Sequence, residues 1–151
     1  MEEKKSVLIV DDDEATCRSL ELIFGKNGYE TETAGTGREA LEKAQGRFFN
    51  VALLDIKLPD VEGIELLVPL KEIDPDMAVI MFTGYASVET AVRALNQGAS
   101  AYITKPVKVE QVLARVREAI EKQHLVMENR RLYQEAQKEL AERKRAEEEK
   151  R

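Results

Sequence analysis

Short apolar runs, each closed by polar punctuation, recur along the first hundred residues. Ser6-Val7-Leu8-Ile9-Val10 runs into Asp11-Asp12-Asp13-Glu14. Residues 50–54 carry no formal charge and run into Asp55, and Pro59 closes that stretch. Met77 to Phe82 ends at Thr83-Gly84, and Ala101-Tyr102-Ile103-Thr104 ends at Lys105-Pro106. Such runs predict short strands buried on both faces, as in a parallel sheet. Tyr29 to Ala34 alternates weakly and predicts one more strand, with Gly35-Thr36-Gly37 as the turn after it.

Between the runs the apolar period changes from two to about four. Leu20, Ile23 and Phe24 share a helical face that stops near Gly25 to Gly28, with Asp13 available as the N-cap. Arg38 to Gln45 carries Ala40, Leu41 and Ala44 at helical spacing. Glu62 to Ile73 predicts a helix with Ile64, Leu67 and Leu70 inward, which Pro69 should kink or fray. Val88, Ala91, Val92 and Leu95 repeat at i, i+3, i+4, i+7 and make one clean apolar face. From Val107 a helix carries Val109, Val112, Leu113, Val116 and Ile120. Five β-α units in a row predict an α/β fold, a parallel sheet with helices on both faces and right-handed crossovers. No internal sequence repeat is evident.

After Ile120 the character changes. Residues 121–151 contain no Gly and no Pro and are dominated by Glu, Lys, Arg, Gln and Ala, so the helix is expected to continue. Leu125, Asn129, Leu132, Ala136 and Leu140 step by 4, 3, 4 and 4 residues, nearly a heptad seam. The plain reading is a solvated single helix; the functional one is a parallel coiled coil pairing two chains. The expected organisation is a body over 1–122 and a helical connector over 123–151. A chain ending in such a helix is expected to be the N-terminal piece of a longer protein whose output domain lies beyond it.

Composition narrows the setting. At 151 residues and 43% hydrophobic content, the chain can build one core. No window approaches the roughly 18 apolar residues of a membrane span. Met1-Glu2-Glu3-Lys4-Lys5-Ser6 leads straight into a strand, which predicts no signal peptide. Cys17 is the only cysteine, so no intrachain disulfide can form and a cytoplasmic location is expected. It reads as a small buried or half-buried residue. The single His124 rules out a multi-histidine metal site and is expected on the tail's surface or seam. The net charge of −6 argues against a nucleic-acid-binding body. That charge divides into −7 over residues 1–120 and +1 over the remainder, so the acid excess belongs to the globular part.

The acids gather with other chemistry. Asp11 and Asp12, Asp55, Thr83 and Lys105 all fall at the C-terminal ends of predicted strands, and in an open α/β sheet those ends share the ligand-binding edge. Carboxylates brought close raise one another's pKa unless a cation relieves them. A hard divalent ion such as Mg²⁺ takes oxygen ligands and keeps room for a phosphate, and a lysine supplies a point charge for another anion. That pairing suits a phosphoryl group, and Asp55 is the available oxygen nucleophile, since carboxylates form aspartyl phosphates. Asp13 and Glu14 are expected to serve the first helix as cap and first-turn acid instead.

Val10-Asp11-Asp12, Leu53-Leu54-Asp55-Ile56-Lys57-Leu58-Pro59, Phe82-Thr83-Gly84-Tyr85-Ala86 and Tyr102-Ile103-Thr104-Lys105-Pro106 together resemble the response-regulator receiver domain of two-component signalling, over residues 6 to about 122. The resemblance implies a doubly wound, flavodoxin-like sheet of order 2-1-3-4-5. It implies that Asp55 accepts a phosphoryl group from a sensor histidine kinase. Asp12 would ligate Mg²⁺ directly, Asp11 largely through water, and Lys57 through its backbone carbonyl. Thr83 and Lys105 would hold phosphoryl oxygens, Tyr102 would swing when Thr83 moves, and the Lys105-Pro106 peptide would be cis. Lys57 and Tyr85 occupy positions that tune hydrolysis in this family. The tail resembles helical connectors to sensor, kinase or other output domains. Signalling is expected through the fourth helix, fifth strand and fifth helix, with a homodimer formed by that face or by the tail, and no contact of this chain with nucleic acid or membrane.

Two other readings compete. A phosphatase of the haloacid-dehalogenase type would use Asp11-x-Asp13 as its opening motif, but it would leave Asp55 idle and lacks a cap insertion and a late acidic pair. An inert dimerising scaffold has no support in a site where every expected acid, hydroxyl and ammonium is present.

Overall fold

The computed structural model describes residues 4–84, 86–106 and 108–150. Strands β1 (Ser6–Val10), β2 (Glu30–Ala34), β3 (Val51–Leu54), β4 (Ala78–Thr83) and β5 (Ala101–Thr104) form one sheet of order β2-β1-β3-β4-β5, every pairing parallel. Helices α1 (Glu14–Lys26), α2 (Gly37–Gly46), α3 (Leu67–Ile73), α4 (Val88–Asn96) and α5 (Val109–Glu149) connect and extend it.

Alternation along the strands divides the core in two. Leu8, Val10, Ala52, Leu54, Val79 and Met81 point to one face and pack with Ala40 and Ala44 of α2, Leu67 and Leu70 of α3 and Ala94 of α4. Val7, Ile9, Val51, Leu53, Ile80 and Phe82 point to the other, against Leu20 and Phe24 of α1 and Val112 and Val116 of α5. All residues of β1, β3 and β4 are buried, as continuous apolar strands covered on both sides require.

Several expectations shift in detail. β2 begins at Glu30, and Tyr29 instead meets Phe24 edge to face at 5.5 Å. The single helix expected over Glu62–Ile73 is a 3-10 turn (Gly63–Leu66) followed by α3. Pro69 is the third residue of α3, just past the 3-10 turn, and the α-helix runs through it to Ile73. The apolar stripe of α4 does not face the core: Val88, Val92 and Leu95 are 81%, 52% and 49% exposed, and Ala94 supplies the buried contact. Val107 and Tyr85 lie outside the described residues. α5 continues unbroken for 41 residues. No helix among the described residues is long and apolar enough to cross a membrane.

Candidate functional site

The parallel register brings the strand ends to one level. Val10 pairs with Leu54, Leu54 with Met81, and Thr83 with Thr104. The next residues, Asp11, Asp55 and Lys105, therefore leave the sheet side by side. Backbone bonds continue the ladder there: Asp11 N–H donates to Ala34 O at 3.0 Å, Asp55 N–H to Val10 O at 3.0 Å and Lys105 N–H to Thr83 O at 2.9 Å.

Lys105 Nζ donates to Asp11 Oδ2 at 2.7 Å and to Asp55 Oδ2 at 3.0 Å. The stem lies over the Phe82 ring, with Nζ 4.7 Å from its centroid. Burial pushes the Asp11 carboxyl above its ordinary range, against the opposing hydrogen bond from Lys105. Burial also disfavours the Lys105 ammonium, but the bonds to Asp11 and Asp55 outweigh it and hold the lysine pKa above normal. Asp11, Asp12 and Asp55 each offer one carboxylate oxygen, all within 4.8 Å of one another. Asp11 and Asp55 are buried while Asp12 is exposed, so the cluster opens to solvent on one side. Three hard oxygen donors this close together suit a small divalent cation such as Mg²⁺.

The surrounding chain holds these groups in place. Asp13 caps α1, accepting from Ala15 N–H at 3.0 Å and Thr16 Oγ1 at 2.9 Å, and its own N–H donates to Asp11 Oδ1 at 2.9 Å. The extra acid is thus a cap, as its position suggests, and Glu14 stands in the first turn. Cys17 is buried beneath, its Sγ 3.3 Å from Asp11 O, and burial pushes its thiol up to about 11. Lys57 N–H reaches Asp55 Oδ1 at 3.4 Å, and the side chain is exposed. Thr83, the last residue of β4, is fully buried. The Lys105–Pro106 peptide is cis. Tyr102 is half-buried, and its hydroxyl lies 2.8 Å from Thr90 Oγ1. His124 is exposed on α5, at the opposite edge of the sheet from the carboxylates.

Two contributors have no mark in the sequence pattern. Gly63 N–H donates to Ile56 O at 2.5 Å, and a Cβ on Gly63 would stand 1.9 Å from the Asp55 carbonyl oxygen. Only glycine lets the 3-10 turn close over the acceptor's backbone. Thr90 joins the Tyr102 hydroxyl to a capping box, in which Ser87 Oγ accepts from Thr90 N–H at 3.1 Å and Thr90 Oγ1 from Ser87 N–H at 3.2 Å. The close approach at Gly63 and the bond at Thr90 both depend on neighbours that only folding brings in.

Known proteins resemble this chain in sequence and fold. The response regulator receiver domain family matches residues 7–117. The transcriptional regulatory protein ZraR of Escherichia coli O157:H7 is 36% identical over 120 residues, covering 80% of this chain and 27% of ZraR. The chain thus spans about a quarter of the length of such relatives. A CheY-like receiver domain protein from Methanospirillum hungatei JF-1 superposes with a TM-score of 0.78 at 48% identity, covering 81% of this chain and 98% of that one. The beryllofluoride-activated NtrC4 receiver domain, solved as a dimer, superposes with a TM-score of 0.75 at 42% identity, covering 78% and 98%. Sheet order, strand-end chemistry and these matches agree, and the chain belongs to the response regulator receiver domain family of two-component phosphorelay systems.

Proposed function

We propose that Asp55 is the phosphoacceptor and that a sensor histidine kinase is its donor. The observation that carries this reading is the Lys105 ammonium bridging Asp11 and Asp55 at the edge where Asp12 opens to solvent. One Asp55 oxygen attacks the phosphorus of a phosphohistidine as the P–N bond breaks, and the imidazole leaves and takes up a proton. Lys105 neutralises one phosphoryl oxygen and the Thr83 hydroxyl donates to another. Asp12 and Asp55, with the Lys57 carbonyl, would hold Mg²⁺ directly and Asp11 would hold it through water; the ion supplies charge neutralisation at the phosphoryl group. Because the chain does little covalent work, positioning and charge carry the reaction.

The switch follows from the same groups. When Thr83 moves toward the phosphoryl group, Tyr102 moves with it and the face of α4, β5 and α5 changes. The exposed Val88, Val92 and Leu95 are the apolar part of that face. Signal then leaves through α5 to an output domain beyond residue 151, with 1–122 as receiver and 123–151 as connector. A homodimer through the tail, that face or both is the assembly we favour, in the cytoplasm and without direct contact with nucleic acid; the NtrC4 receiver dimer supports the pairing. The chain's catalysis is confined to its own phosphoryl transfer and dephosphorylation.

Intact mass after incubation with Mg²⁺ and a small acyl phosphate tests the acceptor. One phosphoryl group gained by the wild type and none by Asp55→Asn is expected. No gain in either protein would remove the phosphoacceptor reading.

A further inference from the structure

Opposite the carboxylate edge, α5 does something its amphipathic pattern does not require. Its inward residues Val112, Val116 and Ala119 are buried and apolar. The next inward position is Gln123, a carboxamide only 8% exposed. Its Oε1 accepts from Asn50 Nδ2 at 2.9 Å, and its Nε2 donates to Asn50 O at 3.0 Å and Asp76 O at 2.5 Å. Asn50 Oδ1 in turn accepts from Ser6 N–H at 3.0 Å. One side chain of α5 thus ties together the starts of β1 and β3 and the loop between α3 and β4.

Two turns further on, Arg130 grips the same loop. Its two terminal nitrogens donate to Asp76 Oδ2 at 3.1 Å and Oδ1 at 2.8 Å, a bidentate fork. Lys71 Nζ stiffens the loop from within by donating to Met77 O at 2.6 Å. The two attachments are ~10 Å apart along the helix. Packing of Val112, Val116 and Ala119 seats the root of the helix, and the two polar attachments carry that hold two turns further, setting the rotation and tilt of the tail. Past Arg130, the ion pairs of α5 among the described residues are internal, Arg131 with Glu135 and Arg143 with Glu139. Gln123 and Arg130 lie beyond the span of 7–117 that the family model matches, while Asn50 and Asp76, which receive them, lie within it.

We infer that Gln123 and Arg130 are positioning residues for output, a two-point clamp that fixes the bearing of the tail helix relative to the sheet. Asn50, which receives the clamp, stands at the start of the strand that ends at Asp55. The far end of α5 is therefore held in a set orientation to the acceptor strand. The part of this inference that concerns the phosphorylated state rests on the proposed role of Asp55; the part that concerns bearing does not.

The test uses the full chain with Cys17→Ala and spin labels at Glu72→Cys and Gln137→Cys, diluted with unlabelled protein so that only distances within one chain are read. The otherwise unaltered protein should give one narrow distance distribution. Gln123→Ala with Arg130→Ala should broaden it at least twofold, and Arg130→Asp alone should broaden it unless Asp76→Arg restores the pair. A double-alanine variant as narrow as its parent, a parent already broad, or a charge swap that restores nothing overturns the clamp, even if thermal stability falls. Should the double variant fail to fold, Arg130→Ala, altered at a half-exposed residue, carries the same reading. On treatment with Mg²⁺ and acyl phosphate, the clamp variant should take up phosphoryl as its parent does but show at most half the parent's change in distance; an equal change overturns the output role. If the parent takes up no phosphoryl group, the phosphoacceptor reading fails while the bearing measurement stands.

Discussion

Asp11, Asp12 and Asp55 crowd their carboxylates within 4.8 Å, and the Lys105 ammonium pairs with two of them, Asp11 and Asp55. Removing one charge should therefore relieve the fold. Asp55→Asn is expected to raise stability by about 1 kcal/mol in the absence of divalent ions, read as a higher urea midpoint. Mg²⁺ should raise the midpoint of the wild type more than that of the variant. Gly63 makes the opposite case. A Cβ there would meet the Asp55 carbonyl at 1.9 Å, and backbone must shift to admit it. Gly63→Ala should cost about 3 kcal/mol by the same measurement. Cys17 is buried with its thiol pushed up to about 11. At pH 8 its thiolate fraction is about a hundredfold below that of an unfolded-chain cysteine, so alkylation should be slow in the native protein and fast in urea. The site's charged residues were legible because each ends an apolar run, and parallel strands put their ends together. Gly63, Thr90 and Asn50 were not, because their roles depend on neighbours brought in by folding. Gln123 left a faint trace, a polar residue continuing the inward spacing of Val112, Val116 and Ala119.

The elements show where periodicity speaks and where it falls silent. The strands and four of the helices stand where the pattern put them, within a few residues, since burial on one or both faces writes itself into the sequence. The helix α4 shows the limit. Its apolar stripe is real, yet Val88, Val92 and Leu95 face water, because a moment states that a face prefers burial and not what covers it. The element is also thinly held, with Ala94 as its one fully buried residue, so its capping box matters more than usual. Thr90→Val should cost about 1 kcal/mol and raise amide hydrogen exchange across residues 89–92, while the sheet's exchange stays unchanged. Near Pro69 the pattern gave the extent of a helical stretch but not the point at which its 3-10 turn becomes α-helix, which lies between Leu66 and Leu67.

On the scale of the whole molecule, the tail is attached by chemistry that responds to acid. Arg130's hydrogen bonds hold the Asp76 carboxyl below its ordinary range, with Lys71 as the other cation acting in the same direction. A lowered folded pKa means stabilisation that is complete above the ordinary value of 3.8 and is lost as pH falls through the folded value. Acidification from pH 5 toward pH 2 should therefore broaden the Glu72–Gln137 distance, and Arg130→Ala should abolish that acid-dependent step by having the broad distribution at every pH.

The length of α5 gives its root mechanical leverage. From Gln123 to Glu149 the helix reaches ~40 Å past the sheet. A tilt of about 5° at the root, a motion the core could absorb with sub-ångström adjustments, sweeps the far end through ~3.5 Å. That travel is enough to carry a side chain from one hole of a facing helix toward the next. The helix is a pointer, and small errors or small signals at its pivot are read out magnified at its tip.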